Sequence, residues 1–258
     1  MTSPQTSRAT GAMESPAIRA LQINLQRKFI ASELALRHAY QNNTDILLIQ
    51  EPTTLPNKQI PQTQYQQAGT GNAITLIKNG ISYQCTYKSD NITVIRINNI
   101  TVINVYASPN KNKKDIAPIL SEIEAQIQGI TSPLLISGDF NCGTSLFPSS
   151  KQNARSSQFD DFLYSQNLKI ENYEAPTWTR NRIVSIIDYT LTRKLQINDW
   201  AIPNIDTLSD HKFLMYQIQG IPKLNPDLNA KHKTDKELYK KLIATPPPLL
   251  DYTTAERG

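Results

Sequence analysis

The sequence has few of the residues that build disulfide, zinc or membrane structures. It holds two cysteines among 258 residues, Cys85 and Cys142, too few for a disulfide framework or a zinc-binding spacing. We interpret Cys142 as a small buried residue, and a reducing compartment is the simpler expectation. Apolar runs stay well short of the roughly 18–20 residues that span a bilayer, so we expect no membrane segment. Residues 1–16 lack the apolar stretch of a secretory signal.

Glycine and proline are also sparse, with nine and sixteen copies, which indicates a mostly ordered chain. Composition divides the chain into three parts. Residues 1–16, rich in Ser, Thr and Pro, are expected to be a disordered leader, and residues 17–221 a folded domain. Residues 222–258, rich in Lys, Asn and Pro, are expected to be a linker, with a short helix near 235–243. The net charge of +5 fits a polyanionic partner or an ordinary solvated surface about equally.

One stretch stands at the centre of the sequence. The apolar run from Leu134 to Ser137 leads through Gly138 to Asp139 and Asn141. We predict a buried strand, with the glycine allowing a sharp turn at its end. If the extended geometry continues, Asp139 and Asn141 point to the same side. A carboxylate and an amide are costly to bury without partners, so this pair predicts a functional site.

Five further segments end in the same way, with an apolar run followed by polar side chains. Their polar ends are Asn24, Glu51, Tyr106, Asp188 and the pair Asp210 and His211. Taken one at a time, each has an ordinary alternative, such as a turn, a cap or strand packing. Their joint occurrence predicts one composite site.

The hydrophobic periodicity predicts few helices and many strands. Helices are expected at 27–40, 113–128 and 157–166, the first with Ile30, Leu34, Ala35 and Ala39 on one face. Strands are expected at 18–24, 45–50, 71–78, 81–88, 91–97, 100–106, 134–137, 169–173, 186–192, 200–205 and 211–218, with a loop at 52–70. Asn79-Gly80 and Asn98-Asn99 are read as hairpin turns. This order predicts an α+β fold, a β-sandwich with helices on its outer faces.

The polar strand ends, in this order, resemble the endonuclease/exonuclease/phosphatase superfamily over about residues 17–220. The matching segments are Gln22-Ile23-Asn24, Ile49-Gln50-Glu51-Pro52, Asn104-Val105-Tyr106, Ser137-Gly138-Asp139-Phe140-Asn141, Ile187-Asp188-Tyr189 and Leu208-Ser209-Asp210-His211. Within it, Leu21–Lys28 and Pro176-Thr177-Trp178 are similar to the apurinic-endonuclease-like domains of non-LTR (LINE-type) retrotransposons, especially insect R1/TRAS-type elements. The resemblance implies a four-layer α/β-sandwich, the DNase I-like fold, with two mostly antiparallel sheets flanked by helices.

The resemblance also implies an activity. It implies a Mg²⁺-dependent phosphodiesterase, with Mn²⁺ as a possible substitute, that nicks double-stranded DNA and leaves a 3′ hydroxyl. That hydroxyl would prime reverse transcription by a covalently linked reverse transcriptase, on chromosomal DNA in the nucleus. Two alternatives stay open: a repair-type apurinic endonuclease or phosphoesterase of the same fold, and a catalytically inactive DNA-binding module.

The residues that carry these roles follow from the same motifs. The implied catalytic residues are Asp139, Asn141, His211, Asp188 and Tyr106, and the implied metal ligands are Glu51, Asn24 and Asp210. Thr177 and Ser209 are expected to support the site or to contact a phosphate. The candidates for DNA contact are Lys111, Lys113, Lys114, Arg180, Arg182 and Lys212.

Overall fold

A computed structural model describes residues 17–53, 64–109, 115–150 and 152–220. Its elements, in chain order, are β1 Ala17–Asn24, α1 Phe29–Gln41, β2 Ile46–Gln50, β3 Tyr65–Ala68, β4 Ala73–Lys78, β5 Gln84–Lys88, β6 Ile92–Ile97, β7 Ile100–Tyr106, α2 Ala117–Ile127, β8 Leu134–Asp139, α3 Ser156–Ser165, β9 Lys169–Ile170, β10 Trp178–Arg180, β11 Ile183–Ser185, β12 Asp188–Arg193, β13 Ile197–Ala201 and β14 Leu214–Gln219. None of the described helices is long and apolar enough to cross a membrane.

Two six-stranded sheets carry most of these strands. The first has the order β13-β14-β1-β2-β4-β3 and the second the order β5-β6-β7-β8-β12-β9. The pairs β1–β2 and β7–β8 are parallel, and the other pairs within the two sheets are antiparallel. The short strands β10 and β11 form a separate hairpin.

Three apolar clusters arrange the sheets and helices in four layers. The middle cluster joins the facing sides of the two sheets, with Ile18 and Leu48 from the first and Val102 and Leu135 from the second. A second cluster packs helices α2 and α3 on the outer face of the second sheet, and a third packs α1 on the outer face of the first. The fold is therefore the predicted α/β-sandwich, because each sheet buries an apolar set on both of its faces.

Most predicted elements are present, with ends shifted by a few residues. Asn98-Asn99 does connect the antiparallel pair β6–β7. Asn79-Gly80, however, is not a hairpin turn, because the strands before and after it belong to different sheets. The predicted strand at 200–205 is wrong in position, since β13 ends at Ala201. The prediction missed β3 and the β10–β11 hairpin, whose strands have only three or four residues.

Two local predictions need correction. Gly138 does not turn the chain: β8 continues through it to Asp139, and a Cβ at this position would overlap the carbonyl oxygen of Val105. The glycine therefore permits a close approach of β7. On α1, Ile30 points outward and is exposed, whereas Ala31, Ala35 and Ala39 are buried.

Some predictions concern residues outside the described part of the chain. These are the leader at 1–16, the linker at 222–258 with its short helix, and three of the DNA-contact candidates, Lys111, Lys113 and Lys114. Cys142, in contrast, is fully buried among the apolar residues under α2 and α3, as predicted.

Candidate active site

The polar strand ends meet in the seam between the two sheets. Side chains alternate along a strand, so every second one points into the space between the two sheets. Along each strand, these inward side chains change from apolar to polar toward one end. In β1, Ile18 and Ala20 lie in the middle apolar cluster, and Asn24 continues the same series. In β8, Leu135 lies in that cluster and Asp139 continues its series. The site is thus the polar end of the inter-sheet core.

Strand register brings three predicted residues to one level of the second sheet. Tyr106 of β7 pairs with Asp139 of β8, and Asp188 of β12 pairs with Asp139 from the other side. The first sheet faces them with Asn24, whose Nδ2 donates to Oδ2 of Asp139 over 2.9 Å. Residues more than one hundred positions apart are therefore joined directly across the seam.

Asp139 lies at the centre of the cluster and is fully buried. Besides Asn24, it accepts hydrogen bonds from the backbone N–H and the side-chain amide of Asn141, both at 2.9 Å. Asn141 reaches back in this way because its backbone adopts a left-handed φ of 50°, which asparagine tolerates. Burial, followed by the nearby charge of Asp188, raises the pKa of Asp139 above its usual value.

His211 and Asp188 form a buried pair. His211 Nδ1 lies 3.0 Å from both carboxylate oxygens of Asp188, and its Nε2 lies 3.9 Å from Oδ2 of Asp139. Burial alone would lower the pKa of His211, but the charge and hydrogen bond of Asp188, with the charges of Asp139 and Glu51, raise it to about 9. The imidazole is therefore protonated at neutral pH, with Nε2–H available as a donor.

The hydroxyl groups of Thr177 and Ser209 hold Asp188 and His211 in position. The buried hydroxyl of Thr177 donates to Asp188 Oδ2 over 2.7 Å and accepts the backbone N–H of the same residue. The hydroxyl of Ser209 donates to the carbonyl of Asn24 over 2.7 Å and accepts the backbone N–H of His211. The structure places both hydroxyls where they position other site residues.

Glu51 and Tyr106 form a second contacting pair in the cluster. Glu51 follows β2 with a φ of 45°, and 19% of its side chain is exposed. Tyr106 is buried and hydrogen-bonds to Glu51; burial and the charge of that carboxylate raise the pKa of its phenol well above the usual range. Tyr106 therefore keeps its proton and can act as a donor.

Asp210 is held by a residue that the sequence analysis did not single out. The side-chain amide of Gln26 donates to Asp210 Oδ2 and accepts the backbone N–H of the same residue, each over 3.0 Å. Arg180 Nε lies 3.8 Å from the same carboxylate oxygen. The structure therefore brings Asp210 to the edge of the site and gives it two partners.

Among the described residues, one group of carboxylates and imidazoles is close enough to surround an ion. Asp139, Asp188 and His211 offer ligand atoms within 4.8 Å of one another. A protonated imidazole does not ligate a metal, so this trio is an ion-paired network as it stands. The partly exposed carboxylates of Glu51 and Asp210 are the kind of donor that fits a hard, largely hydrated cation.

Of the predicted DNA contacts within the described ranges, two lie on the β10–β11 hairpin and one directly follows His211 in the sequence. Arg180 and Arg182 are exposed on the β10–β11 hairpin, and Lys212 is half-buried. The hairpin is tied to the site, because Thr179 N–H donates to the carbonyl of Asp210 and Lys212 N–H donates to that of Thr177. Trp178 is half-buried and bridges to His211 through its backbone.

Sequence reasoning gave no role to a second row of buried polar side chains under the site. Ser137 donates to Gln22 over 2.8 Å, and Gln50 donates to Asn104 over 2.6 Å, both across the seam. A signal was present: Gln22, Asn104 and Ser137 each stand two residues before a site residue, which places them on the same strand face. Sequence reasoning also gave no role to Arg155, a buried residue whose guanidinium contacts the carbonyl of Asn141.

Comparisons with known proteins agree with this geometry. Residues 100–215 match the family described as endonuclease-reverse transcriptase. Among solved structures, the endonuclease domain of TRAS1, a telomere-specific non-LTR retrotransposon, is 26% identical with a TM-score of 0.65, covering 78% of this chain and 98% of that one. The AP endonuclease of Archaeoglobus fulgidus is 14% identical, with a TM-score of 0.57 and coverage of 77% and 98%. The human Nocturnin catalytic domain is 18% identical, with a TM-score of 0.55 and coverage of 79% and 93%. No curated protein sequence matches significantly.

The fold is that of the endonuclease/exonuclease/phosphatase proteins, and residues 100–215 are similar to an endonuclease family. Within that class, the resemblance to the endonuclease domain of non-LTR retrotransposons, predicted from the strand-end motifs, is confirmed.

Proposed function

We propose that this chain nicks double-stranded DNA in a Mg²⁺-dependent reaction and leaves a 3′ hydroxyl that primes reverse transcription of a non-LTR retrotransposon. The observation that carries the proposal is the buried cluster in which Asn24, Asn141 and His211 surround Asp139. The family description, endonuclease-reverse transcriptase, supports a reverse transcriptase linked to this domain. Residues 17–221 would form the endonuclease, and 222–258 would lead toward the polymerase.

Asp139 is the group that activates the attacking water. A carboxylate offers about four acceptor positions, and three here are taken by Asn24 and Asn141, which leaves one for a water molecule. Its raised pKa brings its basicity closer to neutral pH, where proton transfer is most effective. Asn141 fixes the direction in which the carboxylate points.

His211 and Tyr106 supply hydrogen bonds to the phosphate under attack. As the water oxygen bonds to phosphorus, the P–O3′ bond breaks and negative charge grows on the non-bridging oxygens. The protonated Nε2 of His211 and the phenol of Tyr106 are donors aimed from preorganised, buried positions, which favours that charged state. The phosphate stays on the 5′ end, and O3′ takes up a proton to become the primer hydroxyl.

A magnesium ion, or manganese in its place, supplies charge neutralisation at the phosphoryl oxygens when bound. Glu51, with Asn24 and Asp210, would hold it. The fit rests on the chemistry of the donors: these are hard oxygen ligands, and the carboxylates of Glu51 and Asp210 both reach solvent, with 19% and 25% of their side chains exposed.

The β10–β11 hairpin supports DNA as the substrate. It is anchored to the segment that carries His211, yet it exposes Arg180, Arg182, Ile183 and Val184. Two cations can contact backbone phosphates, while two exposed apolar side chains can contact or insert between base edges in a groove. We place the duplex along this hairpin. Nicking of chromosomal DNA would take place in the nucleus.

The test is nicking of supercoiled plasmid in Mg²⁺ by the wild type, Asp139→Ala and His211→Ala, with EDTA as the metal control. We expect the wild type to relax the plasmid and both variants to lose at least about 100-fold in rate. Extension of the nick by a polymerase would show the 3′ hydroxyl.

Other outcomes of the same experiment point elsewhere. Cleavage of an abasic duplex but not of an intact one would replace the proposal with a repair enzyme. Duplex binding without nicking would replace it with a binding module. Variants that nick as fast as the wild type would show that the active site is misplaced.

A further inference from the structure

The loop after β1 has a strained backbone next to the site. Gln26 and Arg27 adopt consecutive left-handed φ angles of 51° and 57°, a conformation that glycine favours and arginine does not. The loop is fixed in this shape, because Arg27 N–H donates to the carbonyl of Glu51 over 2.8 Å and Lys28 N–H donates to that of Leu25 over 2.9 Å. Strain of this kind persists where the surroundings impose it, and it is frequent at functional sites.

The strained loop places one guanidinium at the rim of the site. Arg27 Nη2 lies 2.9 Å from Oδ1 of Asn72 and 3.7 Å from Oε1 of Glu51, while 52% of the side chain is exposed. Asn72 is itself held, since its amide donates to Asn91 and its backbone N–H to the carbonyl of Asp90. The guanidinium is therefore positioned before any ligand arrives, with part of its donor fork facing solvent.

Stability does not explain this arrangement. The half-exposed ion pair between Arg27 and Glu51, at 3.7 Å, contributes little to folding stability. It does not offset the free-energy cost of two left-handed residues in a row. The planar fork of arginine matches the oxygens of a phosphate and binds them in a bidentate manner.

Topology places Arg27 across the site from Arg180. Arg27 contacts Glu51, at the end of β2, whereas Arg180 contacts Asp210, just before β14. The strand β1 runs between β14 and β2, so the two arginines flank the strand that carries Asn24. Two strand spacings separate the flanking strands by roughly 10 Å.

We propose that Arg27 is a substrate-binding residue whose guanidinium holds a DNA backbone phosphate on the β2 side of the cleaved one, opposite Arg180. This inference rests on the proposed function, since it needs DNA as the substrate. The strain in the loop is retained because it aims the guanidinium at that phosphate.

The test separates binding from cleavage. Fluorescence anisotropy of a labelled duplex in EDTA, over a series of salt concentrations, gives the slope of log K against log[salt] without any nicking. Each phosphate contact contributes about 0.9 to this slope. We expect Arg27→Gly to make the slope shallower by about 0.9, while Arg27→Lys keeps it.

Thermal unfolding of Arg27→Gly shows whether weaker DNA binding comes from a damaged fold or from loss of the side chain alone. Because glycine accepts a positive φ, this variant should raise the midpoint of thermal unfolding by roughly 2–4 °C while weakening DNA binding. Arg96→Gln is the matched control: Arg96 is exposed on β6 and pairs with Thr101, at the other end of β7 from Tyr106. It also removes one positive charge, so it reports the effect of net charge alone.

The outcomes are distinct. A wild-type slope in Arg27→Gly overturns the inference, as does an equal change in Arg96→Gln. If the wild-type protein does not bind duplex DNA at all, both this inference and the proposed function fail. A shallower slope confined to Arg27→Gly supports the phosphate contact.

Discussion

Asp188 is the residue on which the geometry of the site most depends. It receives His211 Nδ1 at 3.0 Å, the hydroxyl of Thr177 at 2.7 Å and the amide of Gln22 at 3.5 Å. A buried carboxylate needs such partners, because its desolvation is costly when it is alone. The same charge keeps His211 protonated, so one side chain sets both the orientation and the charge of the imidazole.

This arrangement predicts how stability depends on pH. The pKa of His211 is raised from 6.5 to about 9 in the folded protein, so its contribution is fully present below pH 6.5 and is lost as pH rises through about 9. Asp139 acts in the same direction, because its raised pKa penalises the ionised form in the folded state. In EDTA, we expect the free energy of unfolding to fall by about 3 kcal/mol between pH 6.5 and 9.

Asp188→Asn is the matched variant for this prediction. The asparagine oxygen can still accept from His211, but the charge that raises the two pKa values is gone, so the pH dependence should flatten. Urea unfolding at several pH values measures it. Equal slopes in the wild type and Asp188→Asn would contradict the role that we give to Asp188.

At the residue scale, the sequence predicted which side chains gather but not the hydrogen bonds that join the two sheets. Asn24, Tyr106, Asp139, Asp188 and His211 do meet, since each ends an apolar run and strand ends converge in a sandwich. The bond from Asn24 to Asp139 joins residues 115 positions apart, and no local pattern encodes such a pairing. Gln26, held against Asp210, was missed for the same reason.

At the element scale, periodicity predicted the long elements and missed the short ones. Helix α2 lies within the predicted range 113–128, and its Leu120, Ile123 and Ile127 are buried. The β10–β11 hairpin has three residues per strand and turns through Asn181 and Arg182, both with positive φ. Glycine usually follows asparagine in such a turn, and with arginine in its place the signal disappears.

The contact between β7 and β8 gives the sharpest prediction for an element. A Cβ at Gly138 would overlap the carbonyl oxygen of Val105, and backbone cannot move aside without parting the two strands. We expect Gly138→Ala to lower the free energy of unfolding by about 3 kcal/mol or more. Because β8 carries Asp139, nicking should fall as well.

Gly129→Ala serves as the control for this substitution. Gly129 has a φ of 72°, and within the described ranges no heavy atom outside its immediate neighbours lies within 4 Å of the position that a Cβ would take. Alanine there should cost only the strain of the left-handed residue, about 1 kcal/mol. Denaturant unfolding of both variants compares them directly. If the two lose equal stability, close strand approach is not what requires glycine at 138.

At the scale of the whole molecule, the site belongs to neither sheet alone. Tyr106, Asp139 and Asp188 come from the second sheet, and Asn24 comes from the first. Apolar packing between the two sheets fixes how the sheets face each other. The same packing therefore fixes the relative positions of the site residues at the polar end. A change that shifts one sheet against the other would therefore displace catalytic groups without touching them.

The same architecture predicts where the chain can be shortened. The last described strand, β14, lies between β13 and β1, so the first sheet needs both ends of the described chain. We expect a chain of residues 17–221 to unfold within roughly 2 °C of the full chain and to nick DNA at a similar rate. A chain that stops at residue 212 loses β14, exposes one side of β1 and should not fold.

Circular dichroism during heating and plasmid nicking measure both shortened chains. The second chain controls for the first, because it differs only by residues 213–221, which include Phe213 in the core under α1. Loss of folding in the 17–221 chain would show that residues outside this range complete the domain. Folding of the 17–212 chain would show that β14 is dispensable, contrary to its place between β13 and β1 in the first sheet.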